Sequence, residues 1–293
     1  MSRESEFVGV IGQIARHRKF NRLGVATELA EFAISLLDHV SSDLLQQEGS
    51  RLYYEIGYLE KTKGDLVRAA VSFDTSGAFA ARNGDVPGDV FARLHGILCR
   101  YYLESLSCSQ AIEETRELQE ELNLASEAQK NSGLGVNARA ILMKRLSEYL
   151  FDANSASYPG QYENLMGEPR IEEMRENGFA QYELIRWQGR ARIAELNDNT
   201  DVAIEIYSGI LGFEPPYELR TGAFHGASEL AELSQSMIDE ALRDYWHLGF
   251  LLSKSSSTRA QGLAVLRKAL SLMGDKTVPL FQRQISDHLA AFN

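Results

Sequence analysis

Arg283-Gln-Ile-Ser-Asp-His288 places a guanidinium and an imidazole on successive turns of a C-terminal helix, a pairing that can stabilise and protonate a phosphate ester. Gly133-Leu-Gly-Val-Asn-Ala138 matches the loose G-x-G-x-x-A form of a phosphate-cradling turn and precedes a helix. That mechanism needs a buried strand in front of the glycines, however, and Glu120 to Lys130 reads as a charged helix, so the glycines more simply end one helix and open the next. His17, His39, His95, His225 and His247 make no H-x-x-x-H or E-x-x-H pair, so no metal site is expected. Neither a G-x-S-x-G elbow nor a P-loop occurs, and no cofactor is implied. Cys99 falls on an apolar helix face and Cys108 near a helix junction, neither with an activating base nearby in sequence. These residues make no positive case for an enzyme.

Bulk composition narrows the partners. A formal charge of −11 argues against a broad nucleic-acid surface, which needs clustered Lys and Arg. The densest basic run, Arg16-His17-Arg18-Lys19 with Arg22, suits the negative end of the first helix, or else a local contact with an acidic partner or nucleic acid. Glu113, Glu114, Glu117, Glu120 and Glu121 read as a solvated helix face. No stretch reaches about 18 consecutive apolar residues, so no membrane partner is expected. Two cysteines are too few for a disulfide framework, which points to a reducing cytoplasm.

The elements that must position any site read as helices. Six prolines in 293 residues leave long uninterrupted windows, and no alternating apolar/polar runs meet at Asn-Gly or Asp-Gly turns. The pattern predicts an all-α chain with helices at 5–17, 23–41, 43–62, 66–83, 88–105, 109–129, 134–151, 169–176, 179–197, 200–211, 227–236, 238–253, 258–273 and 277–291. Consecutive pairs should form antiparallel hairpins. Irregular segments at 152–169 and 213–226 interrupt them, and their apolar residues, Tyr158, Tyr162, Leu165 and Met166 in the first, would anchor the loops or cover a groove.

Tyr53, Ile56 and Gly57, the Gly64-Asp65 turn, and then Ala69, Phe73 and Ser76 alternate small and large residues as two closely packed antiparallel helices require. Trp187, Ala191, Ala194, Ala203, Tyr207, Ile210 and Pro215 fall at corresponding offsets. His95, Leu98, Cys99, Tyr102, Ala111, Thr115 and Leu118 make a weaker copy, as do Tyr245, Leu248, Gly249, Leu252, Leu266 and Ala269. Over about half its length the chain thereby resembles the tetratricopeptide repeat family in diverged, irregularly spaced copies.

That resemblance implies a single helical repeat domain over 1–293, a right-handed solenoid of α-α hairpins with a concave groove that binds a protein or peptide. Carrying over the register puts Arg51, Tyr54, Tyr58, Lys61, Arg93, Arg100, Gln188, Arg192, Arg243, Trp246 and Phe250 in the groove. Such a basic and aromatic lining suits an acidic peptide, a chain terminus or an acidic helix. The alternative is that these Arg side chains pair with the abundant Glu of the chain. A scaffold or adaptor role follows, with a regulatory signal-peptide receptor as the variant reading; self-association through exposed end units is compatible with either. The R-x4-H spacing at 283–288 is that of the HEPN ribonucleases, the competing enzyme class.

Overall fold

The computed structural model describes residues 3–19, 22–153, 160–161, 182–214, 218–219, 238–273 and 279–292. The chain is all-α, grouped into two compact units, 1–145 and 146–293. The expected helices at 169–176 and 227–236, the aromatic residues of the 152–169 loop, Pro215 and His225 lie outside the described residues.

The first unit holds α1 (Arg3–Lys19), α2 (Leu23–Ser35), a 3-10 turn (Leu37–His39), α3 (Ser42–Lys63), α4 (Leu66–Arg82), α5 (Val86–Tyr102), α6 (Cys108–Leu124), α7 (Glu127–Lys130) and most of α8 (Gly133–Asp152). α4 packs on both α3 and α5, and α6 returns along α5. The turns explain the tight hairpins. Gly64, at φ 85°, ends α3 in the left-handed conformation, with its N–H on the Lys61 carbonyl and that of Asp65 on the Glu60 carbonyl. Asp65 then caps α4 by accepting from the Arg68 N–H at 3.1 Å. Gly84-Asp85 repeats the device between α4 and α5, with Gly84 at φ 68° and Asp85 accepting from the Gly88 N–H at 3.1 Å. The single helix expected at 109–129 is two, because Ser126 and Gln129 form a reciprocal capping box that starts α7 afresh.

The second unit contains the last turns of α8, then α9 (Tyr182–Leu196), α10 (Thr200–Leu211), α11 (Ile238–Lys254), α12 (Arg259–Met273) and α13 (Pro279–Ala290). α10 packs on α9 and α11, and α12 and α13 both pack on α11. Between α10 and α11 the backbone forms one element not expected from sequence, a short antiparallel ladder pairing Phe213 with Leu219 and Glu214 with Glu218.

The small/large pattern does its packing work locally. His95, Leu98, Cys99, Tyr102, Ala111, Thr115 and Leu118 are all buried, as are Ala191, Ala194, Ala203, Tyr207 and Ile210. A Cβ at Gly57 would sit 3.0 Å from the Phe73 ring, which has no exposed surface, and one at Gly249 would sit 2.5 Å from Leu266. Glycine at these positions is therefore what lets the paired helices approach.

Gly57→Ala should lower the stability of the protein by about 1–3 kcal/mol, because Phe73 has nowhere to move. Gly9→Ala, on α1 with nothing within 4 Å of the added methyl, should raise it by about 0.5–1 kcal/mol. Urea unfolding of the two variants beside the wild type checks both signs.

Candidate functional site

On α3, Arg51, Tyr54, Tyr58 and Lys61 follow helical spacing along one stripe, as the sequence reading requires. Tyr54 and Tyr58 do not stand alone. Their rings lie 5.5 Å apart and each meets Phe73 of α4 and His95 of α5, with Phe91 of α5 stacked 5.5 Å from Tyr54. His95 is the centre of this cluster: Tyr58 and Phe73 are 5.1 Å away and Phe91 5.2 Å. Two cations approach the same rings. The Arg18 guanidinium of α1 lies 4.4 Å from the Tyr58 centroid and the Lys61 ammonium 5.2 Å from it. Arg18 also donates from Nε to Glu55 Oε2 at 2.6 Å and from Nη2 to Glu55 Oε1 at 3.3 Å, a nearly buried fork.

Electrostatics single out His95. It is 3% exposed, its Nε2 is 3.5 Å from the Tyr54 hydroxyl, and its Nδ1 is buried with no hydrogen-bond partner. Burial first, and then the charges of Lys61, Arg145, Arg18 and Lys144, hold its pKa well below the usual imidazole value. The charges that weigh most on it are all positive. Burial likewise pushes the Tyr54 phenol well above its ordinary value, so Tyr54 keeps its proton.

The other residues assigned to the groove are placed differently. Arg51 is exposed, with a long 3.8 Å contact to Glu48. Arg93 reaches Glu121 of α6 at 2.7 Å and Asp89 at 3.3 Å, while Arg100 spans Asp74 of α4 at 3.1 Å and Glu114 of α6 at 3.0 Å. Both arginines thus brace α5 to its neighbours, in half-exposed pairs worth up to about 1 kcal/mol each.

In the second unit, Gln188, Arg192 and Arg243 are at most 2% exposed. Gln188 Nε2 donates to Asp244 Oδ2 at 2.7 Å, Arg192 Nη2 lies 3.6 Å from Glu148 Oε1, and Arg243 Nη1 donates to both Asp152 oxygens at 2.6 and 2.7 Å. His247, stacked on Tyr207, has Nδ1 3.1 Å from Glu195 Oε2. Burial raises the Glu195 pKa, but the charge and hydrogen bond of His247 outweigh it and the net shift is downward. Trp246 and Phe250 stack 5.5 Å apart against His288, whose Nε2 meets Ser253 Oγ at 2.6 Å. Arg283 is exposed and lies about 140° around α13 from His288 by helix geometry. At the other chemical candidate, Gly135 is where a Cβ would strike the Gln129 carbonyl, consistent with a helix-to-helix junction after α7.

The stripe reading thus finds Tyr54, Tyr58 and Lys61, and misses Arg18, Phe91, His95, Lys144 and Arg145. Phe91 and His95 carry the i, i+4 signal of a shared face. Lys144-Arg145 is a basic pair inside the apolar run 140–146, a signal that such charges are buried for a reason. Among the described residues no group of His, Cys, Asp and Glu is placed to hold a metal ion, and no helix is long and apolar enough to cross a membrane.

The unfolded chain binds a proton on His95 below about pH 6.5 that the native state refuses. Stability from His95 is therefore present above that pH and is lost as pH falls toward the depressed native value. Urea midpoints should drop more steeply on acidification in the wild type than in His95→Phe, by up to about 1.4 kcal/mol per pH unit. For the second unit, Asp152→Ala should cost about 3 kcal/mol by taking a carboxylate from the buried Arg243 guanidinium, and adding Arg243→Met should restore most of it. An unchanged urea midpoint in Asp152→Ala would show that the pair does not stabilise the unit.

No protein-family profile, no curated protein and no solved structure matches the chain.

Proposed function

We propose that the chain is a binding protein rather than an enzyme, built of tetratricopeptide-like hairpins stacked in a right-handed sense, that takes an acidic protein or peptide segment on the α3–α5 face of its first unit. One observation carries this reading. A chain with a net charge of −11 brings Arg18, Lys61, Lys144 and Arg145 to bear on one ring cluster around His95. Rings supply rigid apolar contact area, and a local positive field within an acidic molecule attracts carboxylates while the remaining surface repels them. Two thiols in a 293-residue chain fit a reducing compartment such as the cytoplasm. The buried polar side chains of the second unit support the scaffold in this reading and do not form part of the recognition face.

Selection from a random peptide library displayed against the full chain tests the proposal. Peptides with Asp or Glu beside a bulky apolar residue should be enriched, with affinity falling as salt rises. Tyr58→Ala and Lys61→Glu should each weaken the best peptide by about tenfold or more, a loss of about 1.4 kcal/mol. Failure to enrich any sequence, or enrichment that Lys61→Glu leaves intact, would overturn the assignment.

A further inference from the structure

Half-exposed rings of the second unit gather on one surface. Trp246, Phe250 and Lys254 recur every four residues along α11, while Tyr245, Leu248 and Leu252 between them are buried. His288 of α13 meets Trp246 and Phe250 edge-on at 5.6 and 5.4 Å, and Phe292, four residues on, lies 5.1 Å from His288 and is 41% exposed. The histidine is fixed in place. Ser253 gives its one hydroxyl proton to the Phe250 carbonyl at 2.7 Å, so its Oγ accepts from His288 Nε2 at 2.6 Å. Two exposed cations rim the rings: the Lys254 ammonium lies 4.6 Å from the Phe250 centroid, and the Arg259 guanidinium, from the start of α12, 5.1 Å from that of Phe292. Arg259 otherwise donates to the Ser253 carbonyl at 3.3 Å, and neither cation is paired with a carboxylate among the described residues. Glu195, whose carboxylate feels the charge of Lys254, lies 3.1 Å from His247.

Rings capped by cations repel a cationic ligand and offer rigid apolar area beside positive charge, which fits a partner face that joins apolar side chains to carboxylates. The first unit carries such a face. On α2, Val25 and Phe32 are 43% and 41% exposed, Glu28 stands between them at three- and four-residue spacing, and Glu31 follows one turn later. Both glutamates are exposed, and neither forms an ion pair among the described residues. Val67 and Val71 of α4 are more exposed still, but the charges beside them are already matched, Arg68 to Asp65 and Asp74 to Arg100. We infer that the chain self-associates, with the Val25–Phe32 face of α2 in one copy docking on the Trp246–Phe250–Phe292 surface of a second copy and Glu28 and Glu31 meeting Lys254 and Arg259. The two faces are unlike, so the contact is heterologous and each copy offers both halves of it. It uses no residue of the α3–α5 ring cluster and goes beyond the peptide-binding reading. One helix on one ring surface makes a small interface, with an expected Kd of about 10–100 μM.

Analytical ultracentrifugation of the full chain over a range of concentrations tests the contact. The weight-average mass should rise above the 32.7 kDa of one chain as concentration passes the Kd. Lys254→Glu with Arg259→Glu makes both faces acidic, and Glu28→Lys with Glu31→Lys makes both basic. Each double variant alone should therefore associate about tenfold more weakly or worse. An equal mixture of the two should recover association, because the acidic α2 of the first meets the basic ring surface of the second. All four substituted side chains are exposed, so the variants keep the fold, which circular dichroism checks. Phe32→Gln, also at an exposed position, should weaken association without changing any charge.

A mass that stays at that of one chain up to about 500 μM would overturn self-association. Association that survives in the acidic double variant would put α2 against α2, and survival in the basic double variant would put one ring surface against another; either result overturns the pairing of unlike faces. A mixture that fails to recover what the wild type shows would overturn the role of charge. If the chain stays monomeric and polyglutamate or an RNA oligonucleotide binds it in a manner lost in Lys254→Glu, the ring surface belongs to a different partner and the second copy is overturned as its occupant. None of these results depends on Tyr58 or Lys61, so failure here is distinguishable from failure of the peptide-binding reading.

Discussion

The approach of α3 to α4, fixed by Gly57 facing Phe73, is the constraint on which the first unit depends. With no Cβ at 57, the Phe73 ring fills the space between the two helices and has no exposed surface. The same ring then stacks at 26° on His95 and meets Tyr54 and Tyr58 edge-on. A residue that settles hairpin packing thereby also walls the candidate site. The tyrosines of α3 and the histidine of α5 are held relative to one another through an α4 side chain, which is why a face built from non-adjacent helices has a defined geometry. Pre-organisation of this kind lowers the ordering cost of binding.

Buried charge ties helices together in both units. In the second, the buried arginines among the described residues lie against carboxylates of α8: Arg192 by Glu148 and Arg243 by Asp152. Such pairs gain little net stability over apolar replacements, because desolvation consumes most of the Coulombic attraction, but breaking one strands a charge. They therefore hold particular helix faces together and disfavour others. In the first unit, Arg18 follows this rule with Glu55 and ties α1 to α3.

Much of the helix layout was legible because its signals are local. Gly64-Asp65 ends one helix and caps the next through backbone rules that need no tertiary context, and the small/large alternation marks which faces meet. The break between α6 and α7 escaped because the charged face runs on past Ala125; only the Ser126–Gln129 spacing reveals the new cap. Site residues were less legible, and the reason is physical. Tyr54, Tyr58 and Lys61 share a stripe whose direction is set by the 3.6-residue period. Arg93 and Arg100 fall on α5 at equally suitable spacing, but their fate is decided by Asp74, Glu114 and Glu121 on other helices. A single-helix register cannot distinguish an arginine that waits for a ligand from one that braces a neighbour.

His95 stays neutral at the centre of its ring cluster, held so first by burial and then by the neighbouring cations. A protonated imidazole at that position would add a further positive charge to a buried cluster already under Lys61, Lys144 and Arg145, and burial prevents it. A phenylalanine would pack as well against Tyr58 and Phe73 but would present no polar atom. Neutral histidine therefore keeps a ring in the aromatic wall without adding charge to it. Because burial first, and then the neighbouring cations, suppress its protonation, a negative charge brought beside the ring and a proton on it would favour one another, a reciprocity required by linkage.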